Sequence, residues 1–324
     1  MADDTAKETT DKDERQARLE ASPLYDKIQI FAFTDPLCTW CWGSEPVLRA
    51  LETRYPGEIV VHYIMGGLVK DYRQMHDPAN GIGDSDTDTF NKQVGSHWQE
   101  ASSRHGMPVT GDFHLFSDEY PSSYPQNIAY EAARLTDPEH ADQFLYLLRK
   151  ASAADGELTS HEDVLVRLAG DAGIPVGPFL KALHDGSAEQ AFQGDMKIAA
   201  AHGVHGFPTF IVQYRDKSYL LRGFNDLDTF EQVIAALTGG QLKPVAPKHD
   251  MAALEALMDK HPVMAMKEIQ EALGLHTLTE AKELAQQVVD DGKGRIEHAG
   301  NGEFLDAVKL GGVCDATTGV CTTI

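Results

Sequence analysis

Cys38 and Cys41, separated by Thr39 and Trp40, are the residues of this chain best suited to chemistry. They follow an apolar run at 28–33 and precede a helix-like run. A strand that leads into a two-cysteine turn at a helix start suits thiol–disulfide exchange, because free backbone N–H groups and aligned peptide dipoles favour the Cys38 thiolate. Cys41, one turn later, is placed to attack a mixed disulfide on Cys38 and release the substrate.

Two cysteines at this spacing can also be inert core residues or half of a zinc site. A zinc site needs two further ligands at a suitable spacing, and none is evident in the sequence. We therefore expect a redox pair with no metal and no organic cofactor. The electron donor would be a thiol system such as thioredoxin or a low-molecular-weight thiol.

Hydrophobic patterns predict the elements that position the turn. A β-branched run at 59–65 predicts a second strand, so the chain opens β-α-β with a parallel strand pair. From about 68 to 203 the pattern is mostly helical, and Asn127 to Ala151 is strongly periodic. A hairpin at 209–221 and a helix at about 226–238 follow. This order predicts an α/β thioredoxin fold (βαβ…ββα) that is interrupted by an all-helical insertion.

Pro208 lies just before the predicted hairpin, where an X-Pro bond can be cis. The strand order would bring Pro208 beside the cysteines. A cis proline there would leave backbone groups of its neighbours Phe207 and Thr209 free to pair with an extended substrate. Trp40 is the candidate for an apolar rim that grips the substrate, whereas Trp42 is expected in the core.

Three segments of the chain resemble the DsbA family, and the resemblance covers about residues 27–240. The segments are Thr34-Asp35-Pro36-Leu37-Cys38-Thr39-Trp40-Cys41-Trp42-Gly43, Met65-Gly66-Gly67-Leu68 and Gly203-Val204-His205-Gly206-Phe207-Pro208-Thr209-Phe210. The most similar branch contains cytoplasmic proteins described as predicted protein-disulfide isomerases, which are also similar to FrnE. The resemblance implies a thiol–disulfide oxidoreductase of protein disulfides, with Cys38 as nucleophile, Cys41 as resolving thiol and Pro208 as cis proline.

Two departures from the family pattern concern the strength of the redox pair. The periplasmic oxidants carry histidine between their cysteines, whereas Thr39-Trp40 offers no cation, so we predict a less oxidising pair of the reductase or isomerase type. Many thioredoxin-fold proteins also carry a buried acid six residues before the first cysteine, and here that position is Ala32. Asp35 on the turn and His205 beside the proline loop are the candidates for tuning Cys38, and water or His205 could accept the proton.

The flanking segments predict further units. Residues 1–26 are polar and charged and predict a disordered acidic tail, and 241–249 form a proline-containing linker. Two helical patterns and a hairpin turn at Gly300-Asn301-Gly302 make residues 250–310 resemble a winged helix, an α+β module. DNA binding does not follow, because residues 251–324 hold six Lys or Arg against twelve Asp or Glu. We expect this module to dock a protein partner or to pack on the catalytic domain.

Cys314 and Cys321 lie in the C-terminal tail, residues 311–324. The six residues between them include a Thr-Thr-Gly turn that could bring the sulfurs into bonding range. The pair could shuttle a disulfide to or from Cys38 and Cys41, form a local or incidental pair, or bind a metal weakly. The sequence leaves these three interpretations open.

Charge and composition exclude some function classes. The formal net charge of −22 disfavours partners such as nucleic acid or an anionic membrane surface, and no run approaches a membrane span. The first residues lack a basic and an apolar signal region, so a cytoplasmic location is expected. Four cysteines in a chain of this length do not indicate a disulfide scaffold.

The expected partners are thiol or disulfide proteins, yet two other function classes remain. One is a protein-binding adaptor with a DsbA-like fold, since relatives in this broad family deliver regulators to proteases. The other is a glutathione-dependent isomerase of small molecules, which does not depend on a resolving cysteine. The presence of Cys41 argues against that third class.

Overall fold

The computed structural model describes residues 22–83 and 85–308, together with the backbone of 313–314 and 321–322. The predicted tail at 1–26 therefore lies mainly outside the described residues. The first part of the chain contains β1 (Ile28–Thr34), α1 (Thr39–Trp42), α2 (Glu45–Arg54), β2 (Ile59–Met65), β3 (His76–Asp77), β4 (Ile82–Gly83), α3 (Thr87–His105), α4 (Tyr124–Thr136), α5 (Ala141–Lys150), α6 (Glu162–Asp171), α7 (Val176–His184) and α8 (Ser187–Ala201). The second part contains β5 (Thr209–Tyr214), β6 (Lys217–Arg222), α9 (Leu227–Thr238), α10 (Met251–Met258), β7 (Val263–Ala265), α11 (Met266–Ala272), α12 (Leu278–Asp290), β8 (Gly294–Ala299), β9 (Gly302–Ala307), β10 (Val313–Cys314) and β11 (Cys321–Thr322).

A four-stranded sheet of order β2-β1-β5-β6 forms the centre of the fold. β1 is parallel to β2 and antiparallel to β5, which pairs with β6 as a hairpin. The predicted α/β thioredoxin fold with a helical insertion is confirmed. Phe33 in β1 faces Thr209 in β5, so the end of β1 lies beside the residue before Thr209. This register places Pro208 at the end of β1, where the cysteine turn begins.

The sheet is held by an apolar core on one face. Ile28 and Ile30 of β1, Phe210 and Val212 of β5 and Phe230 of α9 are all buried in one cluster. Alternate residues of a strand point to one face, which is why these positions pack together. Each such buried side chain contributes about 1.5–3 kcal/mol through removal from water. The core therefore fixes β1, from which the cysteine turn extends, relative to β5.

The helical insertion lies between β2 and β5 and comprises α3 to α8. The periodic stretch from Asn127 to Ala151 is two helices rather than one, because α4 ends at Thr136 and α5 begins at Ala141. Pro138 explains the break, since the residue before a proline disfavours the helical conformation. The expectation of an all-helical insertion is wrong in one place, because β3 and β4 pair there in a two-stranded ribbon.

The C-terminal module has a three-stranded sheet of order β7-β9-β8 and three helices. The sequence predicted α11, α12 and the β8–β9 hairpin, but it missed α10 and β7. Both are short apolar segments, which carry little periodic signal. The arrangement keeps the helix-helix-wing order of a winged helix.

The tip of the module's hairpin packs on the rest of the protein. The Asn301 N–H donates to the Val109 carbonyl at 3.0 Å, and the Val109 N–H donates to Asn301 Oδ1 at 2.9 Å. A Cβ added to Gly300, which has φ of +56°, would lie 2.5 Å from the Val109 carbonyl. The close approach therefore needs glycine at this position. We expected the module either to dock a protein partner or to pack on the catalytic domain. In the described residues, it packs on the thioredoxin part.

No helix among the described residues is both long and apolar enough to cross a membrane. The linker at 241–249 contains no helix or strand, and its Val245 N–H donates to the Arg54 carbonyl at 2.8 Å. The linker thus follows the end of α2 before the chain enters the module.

Candidate active site

Cys38 and Cys41 are joined by a disulfide at the start of α1, with their Cα atoms 5.2 Å apart. Cys38 is the N-cap residue of α1, and the Cys41 N–H donates to Cys38 Sγ at 3.2 Å. A donor aimed at this sulfur favours the thiolate once the disulfide is reduced. Cys38 is 4% exposed and Cys41 is 3% exposed. Little of either cysteine is therefore open to solvent in the disulfide state.

Asp35 fixes the turn that leads to Cys38. Its carboxylate accepts hydrogen bonds from the Leu37 N–H (2.8 Å), the Leu68 N–H (2.7 Å), the Ser123 hydroxyl (2.8 Å) and the Asn127 amide (2.8 Å). Burial raises the pKa of Asp35, and the raising effect exceeds the lowering effect of these donors. These contacts tie the end of β1 to the loop after β2 and to the start of α4. Asp35 is thus placed as an anchor of the turn.

The Phe207–Pro208 peptide bond is cis, as expected from the sequence. Pro208 and Cys41 line the same small cavity, so the structure brings the two segments together. The Phe207 ring lies against Gly66, where an added Cβ would be 2.0 Å from the ring. Thr209 is buried, and its hydroxyl donates to the Gly206 carbonyl at 2.8 Å. The Thr209 side chain thus holds the proline loop and is not exposed at the surface.

The two tryptophans of the turn occupy different environments. Trp40 is half-buried and forms the centre of an aromatic cluster with His97, His105 and Phe224, at ring-centroid distances of 6.2, 5.8 and 5.8 Å. Trp42 is 1% exposed, as expected for a core residue. Trp40 and Phe207 are both partly exposed, and we call the surface around them the dithiol face.

His105, at the end of α3, is a site residue that the sequence analysis missed. Its Nδ1 accepts a hydrogen bond from the Met107 N–H at 3.0 Å, which leaves the proton on Nε2, 3.4 Å from the Thr39 hydroxyl. Burial lowers the pKa of His105 to about 4, so the ring is neutral near pH 7. Gly43 makes room for it, because an added Cβ would lie 2.4 Å from the ring. In the sequence, only Gly43, two residues after Cys41, indicated that another side chain packs closely against the turn.

The predicted tuning residue His205 is exposed, on the loop that precedes the cis peptide. The structure instead places buried charges behind Cys41. A small cavity there is lined by Cys41, Ala32, Arg149 and Pro208. Arg149 donates to the Glu45 carboxylate and to the Thr34 hydroxyl, and these three side chains are at most 2% exposed. Among the described residues that line this cavity, no carboxylate takes the place of the acid that is missing at Ala32.

The charged cluster continues into the C-terminal module. Arg49 of α2 contacts Glu45 at 3.2 Å and Glu268 of α11 at 3.4 Å. Glu268 also accepts hydrogen bonds from the Tyr146 hydroxyl and, at 2.8 Å, from the Ala265 N–H. Burial raises the pKa of Glu268 to about 7. Arg49 thus links Glu268 of the module to Glu45, which pairs with Arg149 behind Cys41.

The C-terminal cysteines lie in the short ribbon β10–β11, whose register places Cys314 opposite Cys321. Their side chains and the intervening residues lie outside the described part of the chain. Within residues 22–83 and 85–308, no group of three or more His, Cys, Asp or Glu side chains is arranged to hold a metal ion. The three interpretations of the tail pair stay predictions.

Known proteins share this architecture. The chain is similar to the ClpXP adapter protein SpxH of Bacillus subtilis, with 28% identity over 251 residues that cover 75% of this chain and 77% of the relative. It is also similar to the ClpXP adapter protein SpxH of Halalkalibacterium halodurans, with 26% identity over 265 residues, 81% of this chain and 83% of the relative. A solved structure of a candidate protein disulfide isomerase from Nitrosomonas europaea matches 67% of this chain and 100% of its own, at a TM-score of 0.54 and 21% identity.

A family profile described as Thioredoxin matches residues 31–232, a span that starts in β1 and ends within α9. The match includes the cysteine turn, the helical insertion and the cis proline. Because it covers more than half of the chain, this protein belongs to the thioredoxin family, and its fold is of the DsbA type.

Proposed function

We propose that this protein binds an extended segment of a partner protein at the dithiol face and exchanges a disulfide with it through Cys38. The observation that carries the proposal is the Cys38–Cys41 disulfide at a helix start, beside the cis Phe207–Pro208 bond. A helix N-terminus supports a reactive thiolate, and a cis proline beside it supports the pairing of an extended segment. The half-buried Trp40 would contact apolar side chains of that segment.

The exchange has two steps that conserve electrons. The Cys38 thiolate attacks one sulfur of a substrate disulfide, forming a mixed disulfide and releasing the other substrate sulfur as a thiolate, which takes up a proton. Cys41 then loses its proton and attacks Cys38 Sγ, so the Cys38–Cys41 bond forms and the second substrate sulfur leaves. The substrate disulfide is reduced to two thiols, and the dithiol is oxidised. A thiol donor such as a thioredoxin or a low-molecular-weight thiol would reduce the pair again.

Trapping with purified protein tests this function. Reduced wild type should reduce insulin disulfides, and Cys41→Ser should accumulate a mixed disulfide between Cys38 and an insulin chain, visible by intact mass. Cys38→Ser should do neither, because it lacks the nucleophile. Insulin reduction by Cys38→Ser at the wild-type rate, or the absence of any adduct on Cys41→Ser, would refute the exchange.

The second candidate is an adapter that presents a bound protein to ClpXP. The names of the curated relatives support this function, and they support it better than they support exchange. The packed C-terminal module would supply a second protein-binding surface in that case. An adapter should bind purified ClpX with unchanged affinity after Cys38→Ser and Cys41→Ser are combined. Binding of this double variant to ClpX with the wild-type affinity would favour the adapter, whereas the absence of ClpX binding by the wild type would favour the oxidoreductase.

The tail cysteines fit the exchange function as a second redox pair. Replacing Cys314 and Cys321 with serine should slow reduction of the Cys38–Cys41 disulfide by a thioredoxin system if the tail shuttles electrons. Unchanged turnover with both thioredoxin and glutathione would instead indicate a local or incidental pair. The cytoplasmic location expected from the sequence agrees with a pair that is kept reduced.

A further inference from the structure

Arg149 of α5 is a buried cation beside the resolving cysteine. Its side chain reaches from the helical insertion into the small cavity behind Cys41, which Ala32 and Pro208 also line. The residue is 1% exposed. The insertion thus provides a charge at the place where the strand β1 offers only the methyl group of Ala32.

The hydrogen bonds of Arg149 do not use all of its five N–H donors. Its two terminal nitrogens donate to the Glu45 carboxylate and to the Thr34 hydroxyl, while Nε is buried without a partner. The guanidinium also lies over the ring of Tyr63, 5.5 Å from its centroid. A buried N–H without an acceptor is costly, so a group that becomes an acceptor during the reaction would be stabilised there.

We propose that Arg149 stabilises the thiolate of Cys41 when Cys41 attacks the mixed disulfide on Cys38. The proposal deepens the exchange function and depends on it. In the disulfide state shown here, the Cys41 sulfur is neutral and gains little from the cation. In the reduced state the same sulfur becomes a strong acceptor, and the guanidinium offers it a positive charge and a free N–H.

This arrangement solves the problem posed by the missing acid. Resolution requires that Cys41 lose a proton before it bonds to Cys38 Sγ and displaces the substrate sulfur. An acid at the position of Ala32 would accept that proton, whereas Arg149 cannot accept one. Arg149 instead favours the ionised thiol, so that water or the departing substrate thiolate can take the proton. Glu45 is a poor acceptor because Arg149 and Arg49 both bind its carboxylate.

The other ionisable groups near Cys41 do not offer the same charge. Tyr63 of β2 lines the cavity, and burial raises its pKa, so its hydroxyl stays neutral. Glu45 of α2 carries a charge of the opposite sign and is bound to Arg149. Arg49 pairs with Glu45 but is not among the cavity residues. Arg149 is therefore the cation of the described residues that faces the cavity shared with Cys41.

The test measures the ionisation of Cys41 itself. In a background of Cys38→Ser, Cys314→Ser and Cys321→Ser, Cys41 is the remaining thiol, and its thiolate can be titrated by ultraviolet absorbance. Arg149→Met should raise the Cys41 pKa by about one unit or more, a tenfold or larger loss of thiolate at a given pH. Arg149→Lys, which keeps the charge, should raise the pKa by less. Arg49→Met is the matched control, since it removes an equal charge from the same cluster and should shift the pKa by less than Arg149→Met.

Arg149 is buried in an ion pair, so the single substitution could unfold the protein. The double variant Glu45→Gln/Arg149→Met removes the pair as a unit. Its Cys41 pKa should exceed that of Glu45→Gln alone, because Glu45→Gln by itself removes an anion and lowers the Cys41 pKa. A folded Arg149→Met variant with the Cys41 pKa of its parent, or a folded double variant with the Cys41 pKa of Glu45→Gln, would overturn the proposal. Because this titration uses no substrate, its result stands apart from the insulin experiment. Failure of exchange with a shifted Cys41 pKa would refute the proposed function, and only the effect of Arg149 on the ionisation of Cys41 would stand.

Discussion

The indole of Trp42, the residue after Cys41, lies against the ring of Phe304 in β9, with the ring centroids 6.3 Å apart. On another side Trp42 contacts Tyr146 of α5 at 5.3 Å, and its Nε1–H donates to the Pro108 carbonyl at 2.9 Å. A residue of the C-terminal module thus supports the helix that carries the redox pair. The module is part of the scaffold of the candidate site rather than an appendage.

Phe304→Ala should therefore destabilise the whole protein. Phe304 is fully buried in the cluster that contains Trp42, so truncation would leave a cavity and cost about 3–5 kcal/mol. Urea unfolding followed by tryptophan fluorescence measures this change. Tyr219→Ala is the matched control, because Tyr219 is 54% exposed on β6 and should cost no more than about 0.5 kcal/mol. Equal losses in the two variants would contradict the packing role.

Gly43→Ala should be destabilising because of its contact with His105. The backbone φ of Gly43 is −62°, which alanine can adopt, so the effect comes from crowding alone. We expect a loss of about 1–3 kcal/mol in urea unfolding. Gly194→Ala is the control, since it lies within α8 with nothing within 4 Å of the added Cβ, and it should stabilise by about 0.5–1 kcal/mol. Adding His105→Ala to Gly43→Ala should recover part of the loss, and a failure to do so would point away from His105.

His105 should make the protein lose stability as the pH falls. Burial lowers its pKa from 6.5 to about 4, so the folded state binds fewer protons than the unfolded state between these values. The contribution of the neutral His105 to the free energy of unfolding is fully present above pH 6.5 and is lost as the pH falls towards 4. The loss is about 3 kcal/mol, because each unit of pKa shift corresponds to about 1.4 kcal/mol. Urea unfolding of wild type and His105→Asn at several pH values measures the difference. His205→Asn, at an exposed histidine, is the control, and parallel profiles for wild type and His105→Asn would contradict the expectation.

The Cys38–Cys41 pair should be a weak oxidant. No cation lies between the cysteines, and His105 next to Thr39 is neutral near pH 7. We expect a potential more negative than the roughly −180 mV of protein disulfide isomerase. Trp40→His places an imidazole beside the sulfurs and should raise the potential by about 30 mV or more, whereas Trp40→Phe should change it less. Equilibration with glutathione measures the potentials of the wild type and the two variants. A wild-type potential above about −180 mV would contradict this account.

The local part of the site could be predicted from the sequence. The strand, turn and helix around Cys38 follow from contiguous residues, and the resemblance of the segment before β5 to the DsbA family implied the cis bond before Pro208. The break between α4 and α5 could also have been found, because Pro138 marks it. These features depend on backbone preferences that act over a few residues.

The long-range part of the site could not be predicted. His105 and Arg149 reach the cysteine turn from helices far along the chain, and nothing in their local sequence distinguishes them from other residues of an insertion. Phe304 reads as one apolar residue of a hairpin, and its contact with Trp42 depends on how the module packs. Such contacts are set by the tertiary fold, so they become visible only when the elements are assembled.

The measurement that tests the central claim most directly is the pH dependence of Cys38 alkylation. In Cys41→Ser/Cys314→Ser/Cys321→Ser, Cys38 is the remaining thiol, and its reaction with iodoacetamide reports both ionisation and access. The account predicts modification with a pKa below about 7.5, against about 8.5 for a free thiol. A pKa at or above the free value, or a thiol that iodoacetamide does not reach in the folded protein, would contradict a reactive nucleophile at Cys38.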